Sequence, residues 1–132
     1  MKKQLREIYH SEYSLQVAVT KYLKFAYPNL IFRSDLGGVR LSRGLAIKMK
    51  KIQWSSGYPD LFIAQRNKKW GGLFLELKTK TPYKKNGDLK KCEHLEKQSQ
   101  MLKNLNERGY YATFSTGFEE AKKIIDWYAR LH

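Results

Sequence analysis

Three residues with complementary chemistry, Asp60, Glu76 and Lys78, lie on two neighbouring apolar segments of the sequence. The second segment, Leu73 to Lys78, alternates as a strand does, so Glu76 and Lys78 share one of its faces. A polar stretch that ends in two glycines separates the segments and is typical of a hairpin loop. If the hairpin is centred on Lys68, Asp60 lies opposite Glu76 on the same side of the sheet. We therefore predict one cluster of two carboxylates and an ammonium group.

Such a cluster suggests a metal site for phosphate chemistry. Neighbouring carboxylates repel each other, and a divalent cation between them lowers the energy. Mg²⁺, with Mn²⁺ as its substitute, is the natural choice, because a hard cation on few carboxylates keeps positions open for water and phosphate. Lys78 would position the attacking water or neutralise developing charge. The alternative is a surface pair of Glu76 and Lys78, with Asp60 merely opening a strand. Phe74 on the charged face favours the site, because it predicts a sheet covered on both sides.

The first element that must position this cluster is a predicted helix over residues 11–26. Ser11 is a suitable N-cap, and Pro28 lies just beyond the end of the helix. Glu12 falls on the apolar stripe and Gln16 lies beside it; the stripe consists of Leu15, Val19 and Leu23. An acid in the first turn can also simply complement the helix dipole. Periodicity alone leaves both roles open.

Two basic segments flank the predicted cluster in the sequence. A short strand is predicted at 30–33, a turn at 35–38 and a helix at 41–52, and the helix region carries Arg40, Arg43, Lys48, Lys50 and Lys51 near its exposed side. Residues 79–91 form a predicted loop with Lys80, Lys84, Lys85, Lys90 and Lys91. Either segment is explained by a solvated surface. The chain as a whole is strongly basic, and Trp54 and Tyr58 follow the first segment. We therefore interpret both segments as DNA-binding edges that contact phosphates.

The C-terminal third completes the predicted elements. A helix over 93–108 places Gln98 within the apolar stripe of Leu95, Leu102 and Leu105. A buried, satisfied glutamine and a group that orients water or phosphate are both consistent with this position, and His94 is a weaker candidate. A strand follows at 110–115. Thr116-Gly117-Phe118-Glu119 has the form of a capping box before a closing helix, whose predicted buried residues are Phe118, Ala121, Ile124, Ile125 and Tyr128.

Composition narrows the class of partner. The chain has 132 residues, which fits a single domain over 1–132, and a formal net charge of +14. That charge favours a polyanion, first of all nucleic acid. No apolar run is long enough to span a membrane, no signal pattern precedes Ser11, and we expect a cytoplasmic protein without a membrane partner. The single cysteine, Cys92, excludes an internal disulfide, and the three histidines show no zinc spacing.

These motifs together resemble a known family. Pro59-Asp60 followed by Glu76-Leu77-Lys78 resembles the PD-(D/E)xK nuclease signature. The surroundings are similar to its VRR-NUC branch, in the stand-alone form of phages and bacteria. Glu12 with Leu15 and Gln16, then the Gly57 to Asp60 turn, and later Gln98 before Gly109-Tyr110 follow that branch in order and spacing. The similarity extends from about Glu12 to Tyr128, and the lysine-rich insert after Lys78 is its main departure.

The resemblance implies an α/β restriction-endonuclease-like core with a mixed central sheet flanked by helices. It implies a Mg²⁺-dependent endonuclease in which Asp60, Glu76 and the Leu77 carbonyl hold the ion. Glu12 would contact the ion directly or through water. Lys78 would activate water, and Gln98 would complete a catalytic set of Asp60, Glu76, Lys78, Glu12 and Gln98. Small members of this branch resemble homodimeric cutters of branched DNA such as Holliday junctions, in the host cytoplasm for a phage-encoded protein.

Two other functions remain open at this point. The positive charge equally fits a non-catalytic DNA-binding accessory protein, such as a degenerate nuclease or a packaging factor. The acid–acid–lysine set and the polar residues on apolar faces argue against it. A sequence-specific restriction enzyme on the same fold is disfavoured by the small size of the chain.

Overall fold

A computed structural model describes residues 11–36 and 40–132. Within these ranges the helices are α1 (Glu12–Ala26), α2 (Arg43–Ile52), α3 (Glu93–Glu107) and α4 (Gly117–Ala129). The strands are β1 (Phe32–Ser34), β2 (Leu61–Ile63), β3 (Leu73–Lys78) and β4 (Tyr111–Thr116). Gly37 and Gly38 of the predicted turn lie outside the described residues.

The first predicted helix is confirmed. The Ser11 hydroxyl accepts a hydrogen bond from the backbone N–H of Ser14 at 3.1 Å, which satisfies one of the free donors at the start of α1. The helix ends at Ala26, and Pro28 follows shortly after. Leu15, Val19 and Leu23 are all buried in the main core, so this stripe fixes the rotation of α1 about its axis and thereby the direction of Glu12 and Gln16.

The sheet is mixed, as predicted. Its order is β1-β2-β3-β4, with antiparallel pairing from β1 to β3 and parallel pairing of β3 with β4. Leu61 pairs with Leu75, so the same register places Asp60 opposite Glu76 and centres the hairpin on Lys68. Gly72 allows the strands to approach, because a Cβ there would lie 2.6 Å from Cε1 of Phe62.

Both faces of β3 are covered. All six of its residues are buried. The leucine face packs in one core with α1 and with α4, which contributes Ala121, Ile125 and Tyr128. The opposite face packs Phe74 against Ala112, Phe114 and Leu102 of α3. Glu76 and Lys78 on this second face are therefore held in a protein interior rather than on a solvated surface.

The remaining elements depart from prediction only in detail. The strand predicted at 30–33 is β1, displaced toward Ser34, and the helix predicted from 41 begins at Arg43, where the Ser42 hydroxyl caps it. The predicted capping box is wrong in its hydrogen bond: Thr116 makes no side-chain cap, because it is also the last residue of β4 and pairs with Lys78. Residues 79–91 lie between β3 and α3 and contain one isolated bridge, Tyr83 with Leu89. No helix within the described residues is long and apolar enough to cross a membrane.

Candidate active site

Asp60 occupies a tight turn immediately before β2. Gly57 opens the turn with a φ of +83°, a conformation that residues with a side chain rarely adopt, and packs against the backbone of α3 at Lys97. Asp60 is 6% exposed, and its Oδ2 accepts the backbone N–H of Leu77 at 2.8 Å. The side chain thus continues the pairing of β2 with β3 beyond the last paired residues and is held in one orientation.

Gln16 supports this turn from behind. Its Nε2 donates to the backbone carbonyl of Asp35 at 2.8 Å and to that of Asp60 at 3.2 Å. The Asp60 carbonyl also accepts the N–H of Asp35 at 2.8 Å. Gln16 is 5% exposed, and its amide therefore positions the Asp60 backbone from the helix side. The sequence left its role open, and the structure makes it a supporting residue of the site.

Glu76 and Gln98 meet in the interior on the Phe74 side of the sheet. The Gln98 amide donates to Oε1 of Glu76 at 2.8 Å, and the two residues are 2% and 4% exposed. Two buried oxygens next to this bond, Oε2 of Glu76 and Oε1 of Gln98, have no hydrogen-bond partner. Buried polar atoms without partners are costly. These two oxygens are therefore available as ligands for a cation.

The electrostatics of the carboxyl pair follow from this burial. Removal from water raises the pKa of Glu76 well above its ordinary value, and the nearby Asp60 carboxylate raises the pKa further. Burial also raises the pKa of Asp60, while its contact with the Glu76 carboxyl and the hydrogen bond from the Leu77 N–H oppose that rise. In the absence of a cation the pair consequently retains a proton at neutral pH. A bound cation would replace that proton.

Lys78 lies at the end of β3 with its side chain 8% exposed. Its Nζ is 3.7 Å from Oε1 of Glu12 and 5.9 Å from the centre of the Phe114 ring. Glu12 is more open, with its side chain 41% exposed. The apolar stripe of α1 and the Phe74 face of β3 thus bring these two charges together at the C-terminal end of β3, as the sequence suggested.

A cavity of about 210 Å³ opens to solvent beside the carboxyl pair, and Lys78 is not among its lining residues. It is lined by Glu12, Asp35, Gln53, Ser55, Ser56, Gly57, Tyr58, Asp60, Glu76, His94 and Gln98. The predicted residues Glu12, Asp60, Glu76 and Gln98 and the weaker candidate His94 therefore share one opening. Gln53, Ser55 and Ser56 were not identified from the sequence, and only their position directly before the Gly57 turn could have indicated them. A larger cleft of about 460 Å³ between α3 and β4 contains none of the predicted site residues.

The donor set fits a hard divalent cation. Asp60 and Glu76 supply carboxylate oxygens, and Gln98 supplies an unpartnered amide oxygen. The N–H and the carbonyl of Leu77 point to the same side of β3, because the N–H donates to Asp60. The register places Pro59 opposite Leu77, and Pro59 has no N–H to donate to that carbonyl. Among the described residues no group of three or more His, Cys, Asp or Glu side chains forms a metal cluster. The metal set thus depends on a carboxylate pair with backbone and amide oxygens, and a contribution from Glu12 stays a prediction.

The predicted DNA-binding residues lie outside the cavity. Arg40, Arg43 and Lys48 are exposed in and before α2. The lysines of the 79–91 loop are exposed as well: Lys80, Lys84, Lys85, Lys90 and Lys91. The chain path places one group just before the Asp60 turn and the other just after Lys78. Their contact with DNA stays a prediction.

Comparison with known proteins concerns the fold. No family model and no curated protein matches this sequence. A solved structure described as a VRR_NUC domain protein matches with a TM-score of 0.62 and 22% sequence identity, over 92% of this chain and 89% of that chain. This match agrees with the resemblance that the motifs indicated. The predicted α/β fold, with a mixed central sheet flanked by helices, is confirmed, and the chain shares the fold of that VRR_NUC domain protein.

Proposed function

We propose that this protein is a Mg²⁺-dependent endodeoxyribonuclease of the VRR-NUC family, which hydrolyses phosphodiesters in branched DNA such as four-way junctions. One observation supports this most strongly: Asp60 and Glu76 form a buried carboxyl pair with an unpartnered oxygen, at a cavity that also contains Gln98. A protein that only binds DNA gains nothing from burying two acids together, because their desolvation is unfavourable.

Each residue of the site has a distinct part in this proposal. Asp60, Glu76 and the Leu77 carbonyl would hold the cation, while Gln98 fixes the Glu76 carboxylate through its 2.8 Å hydrogen bond. A bound Mg²⁺ supplies charge stabilisation to the phosphate and lowers the pKa of water. Lys78 orients the attacking water at the end of β3, and Glu12 keeps the Lys78 ammonium in place from 3.7 Å away. In-line attack would leave a 5′-phosphate and a 3′-hydroxyl.

The charge of the chain supports DNA as the substrate. A net charge of +14 attracts a polyanion, and basic residues both precede the Asp60 turn and follow Lys78. Mn²⁺ would substitute for Mg²⁺ at oxygen ligands. In a homodimer, two sites related by a two-fold axis would make paired incisions on a symmetric junction.

Cleavage of defined substrates tests the proposal. Wild type, Lys78→Ala and Lys21→Ala are incubated with labelled linear duplex, flap and four-way junction DNA, each with Mg²⁺, Mn²⁺ or a chelator. Lys21 is an exposed lysine of α1 and serves as the control for loss of one positive charge. We expect wild type and Lys21→Ala to cut the junction only with metal, and Lys78→Ala to lose on the order of 100-fold or more in rate.

Three results would contradict the proposal. Intact DNA under every metal condition would favour the non-catalytic binding protein. Equal cutting by wild type and Lys78→Ala would show that Lys78 has no part in the chemistry. Preferential cutting of one linear sequence would instead favour a restriction-type nuclease.

A further inference from the structure

Helix α2 and the residue after its cap expose an unusual amount of apolar surface. Within α2 no residue is buried. Ile52 and Trp54 are each 77% exposed, and Leu45 and Ile47 are 44% and 49% exposed. A solvent-facing tryptophan at such exposure is uncommon in a monomeric surface and typically marks a binding site.

The position of Trp54 connects it to the candidate active site. Gln53 and Ser55, its neighbours on either side in the chain, both line the cavity that contains Asp60 and Glu76. Trp54 itself does not line the cavity, and its indole is exposed to solvent beside the opening. A DNA strand that continues from a phosphate over the carboxyl pair would pass this segment.

The charge around Trp54 indicates what binds there. Between Asp35 and Asp60 the chain contains no acidic residue, and it contains five basic ones: Arg40, Arg43, Lys48, Lys50 and Lys51. A partner must therefore offer both negative charge and flat apolar faces. A second copy of this chain would bring the same basic helix opposite itself, which is repulsive. DNA with unpaired bases offers phosphates to the basic residues and base faces to Trp54.

We propose that Trp54 stacks on an unpaired base of the DNA substrate, next to the phosphate held in the cavity, and so selects DNA with unstacked bases over intact duplex. This inference rests on the proposed nuclease function and specifies its substrate class. In a fully paired duplex the base faces are covered by their neighbours, so the indole has no face to cover. The bases of a flap strand are accessible, and those at a branch point become accessible where the arms open; stacking with an aromatic side chain then stabilises the complex.

Stacking can be measured without cleavage. The probe is 2-aminopurine, a base analogue whose fluorescence falls when it stacks. One DNA carries it unpaired in a flap, and a second DNA carries it paired in a duplex. Fluorescence and Kd are measured in chelator for wild type, Trp54→Ala and Trp54→Phe. Phe25→Ala is the matched control, since Phe25 is 89% exposed near the other end of α1 from Glu12. Lys48→Ala controls for a phosphate contact.

We expect wild type and Phe25→Ala to quench the flap probe, and Trp54→Phe to retain most of that quenching. Trp54→Ala should lose the quenching and on the order of tenfold in affinity for the flap DNA. The loss on duplex should be much smaller. Lys48→Ala should weaken both DNAs by a similar factor.

Three outcomes would overturn the inference: unchanged quenching by Trp54→Ala, equal weakening of flap and duplex binding by that variant, or a dimer in wild type that Trp54→Ala converts to a monomer by light scattering. The last would identify the face as an interface between copies of the chain. Failure of wild type to cut DNA with metal would refute the nuclease function while leaving these binding measurements intact. Normal cutting with unchanged quenching would refute only the role of Trp54.

Discussion

Replacing Glu76 with glutamine separates the stability of the fold from the chemistry of the site. Glu76 is 2% exposed, and burial together with the Asp60 carboxylate raises its pKa above the ordinary 4.5. Glutamine has nearly the same shape, carries no charge and can still accept the hydrogen bond from Gln98. We therefore expect Glu76→Gln to stabilise the metal-free protein and to abolish metal-dependent cleavage.

The size of the effect follows from proton linkage. Above about pH 4.5 the unfolded chain releases the Glu76 proton, while the folded protein retains it because its pKa is raised. The folded state then binds more protons than the unfolded state, so the free energy of unfolding falls as pH rises. The slope for one proton is about 1.4 kcal/mol per pH unit, which gives up to about 4 kcal/mol between about pH 5 and about pH 8.

Urea unfolding in chelator across this pH range measures the slope. Wild type should lose stability toward high pH relative to Glu76→Gln, and Mg²⁺ should restore stability to wild type at high pH but not to the variant. Glu107→Gln removes an exposed carboxylate at the end of α3 and is the control for a change in net charge.

The reasoning about the buried pair would be refuted by parallel pH profiles for wild type and Glu76→Gln. A wild type that gains stability over the variant with rising pH would be a stronger contradiction. That result would mean that Glu76 is ionised in the folded, metal-free protein and well solvated or paired.

Three further changes test the supporting contacts. Gln16→Ala removes both hydrogen bonds behind Asp60, and we expect about 1–3 kcal/mol of lost stability together with slower cleavage. Asn106→Ala removes two hydrogen bonds to the β4 backbone far from the cavity, and should cost similar stability in urea unfolding with unchanged Mg²⁺ affinity of the folded protein. We expect only Gln16→Ala to affect the site. Weaker Mg²⁺ binding by Asn106→Ala, or unchanged stability and unchanged cleavage in Gln16→Ala, would contradict this expectation. Gly72→Ala places a Cβ 2.6 Å from the Phe62 ring and 3.0 Å from a backbone carbonyl, and should lower thermal stability by about 1–3 kcal/mol; an unchanged Tm would show that β2 and β3 separate easily.

Much of the site was predictable because strand alternation and hairpin symmetry are local properties. The period of two placed Glu76 and Lys78 on one face, and a loop centred on Lys68 placed Asp60 opposite Glu76. Helical periodicity aimed Glu12 and Gln98 toward the sheet, and both line the cavity. In each case one element fixes the direction of the side chain.

The parts that were not predictable depend on contacts between distant segments. Gln16 lies beside the apolar stripe of α1, yet its partners, the carbonyls of Asp35 and Asp60, are set by how β1 pairs with β2. The contribution of Gln53, Ser55 and Ser56 to the cavity follows from the packing of the Gly57 turn on α3, which no local pattern shows. Thr116 matched a capping box in sequence, but its pairing with Lys78 in β4 replaced the cap.

The central claim is that the buried pair of Asp60 and Glu76 binds a divalent cation and cuts DNA. Its most direct test is the single-turnover incision rate of a labelled four-way junction as a function of Mg²⁺ concentration, for wild type and Asp60→Asn of matched helical content. The account predicts saturable Mg²⁺-dependent incision by wild type, none in chelator, and a loss on the order of 100-fold or more for Asp60→Asn. Incision that persists in chelator, or that Asp60→Asn performs at the wild-type rate, would contradict it.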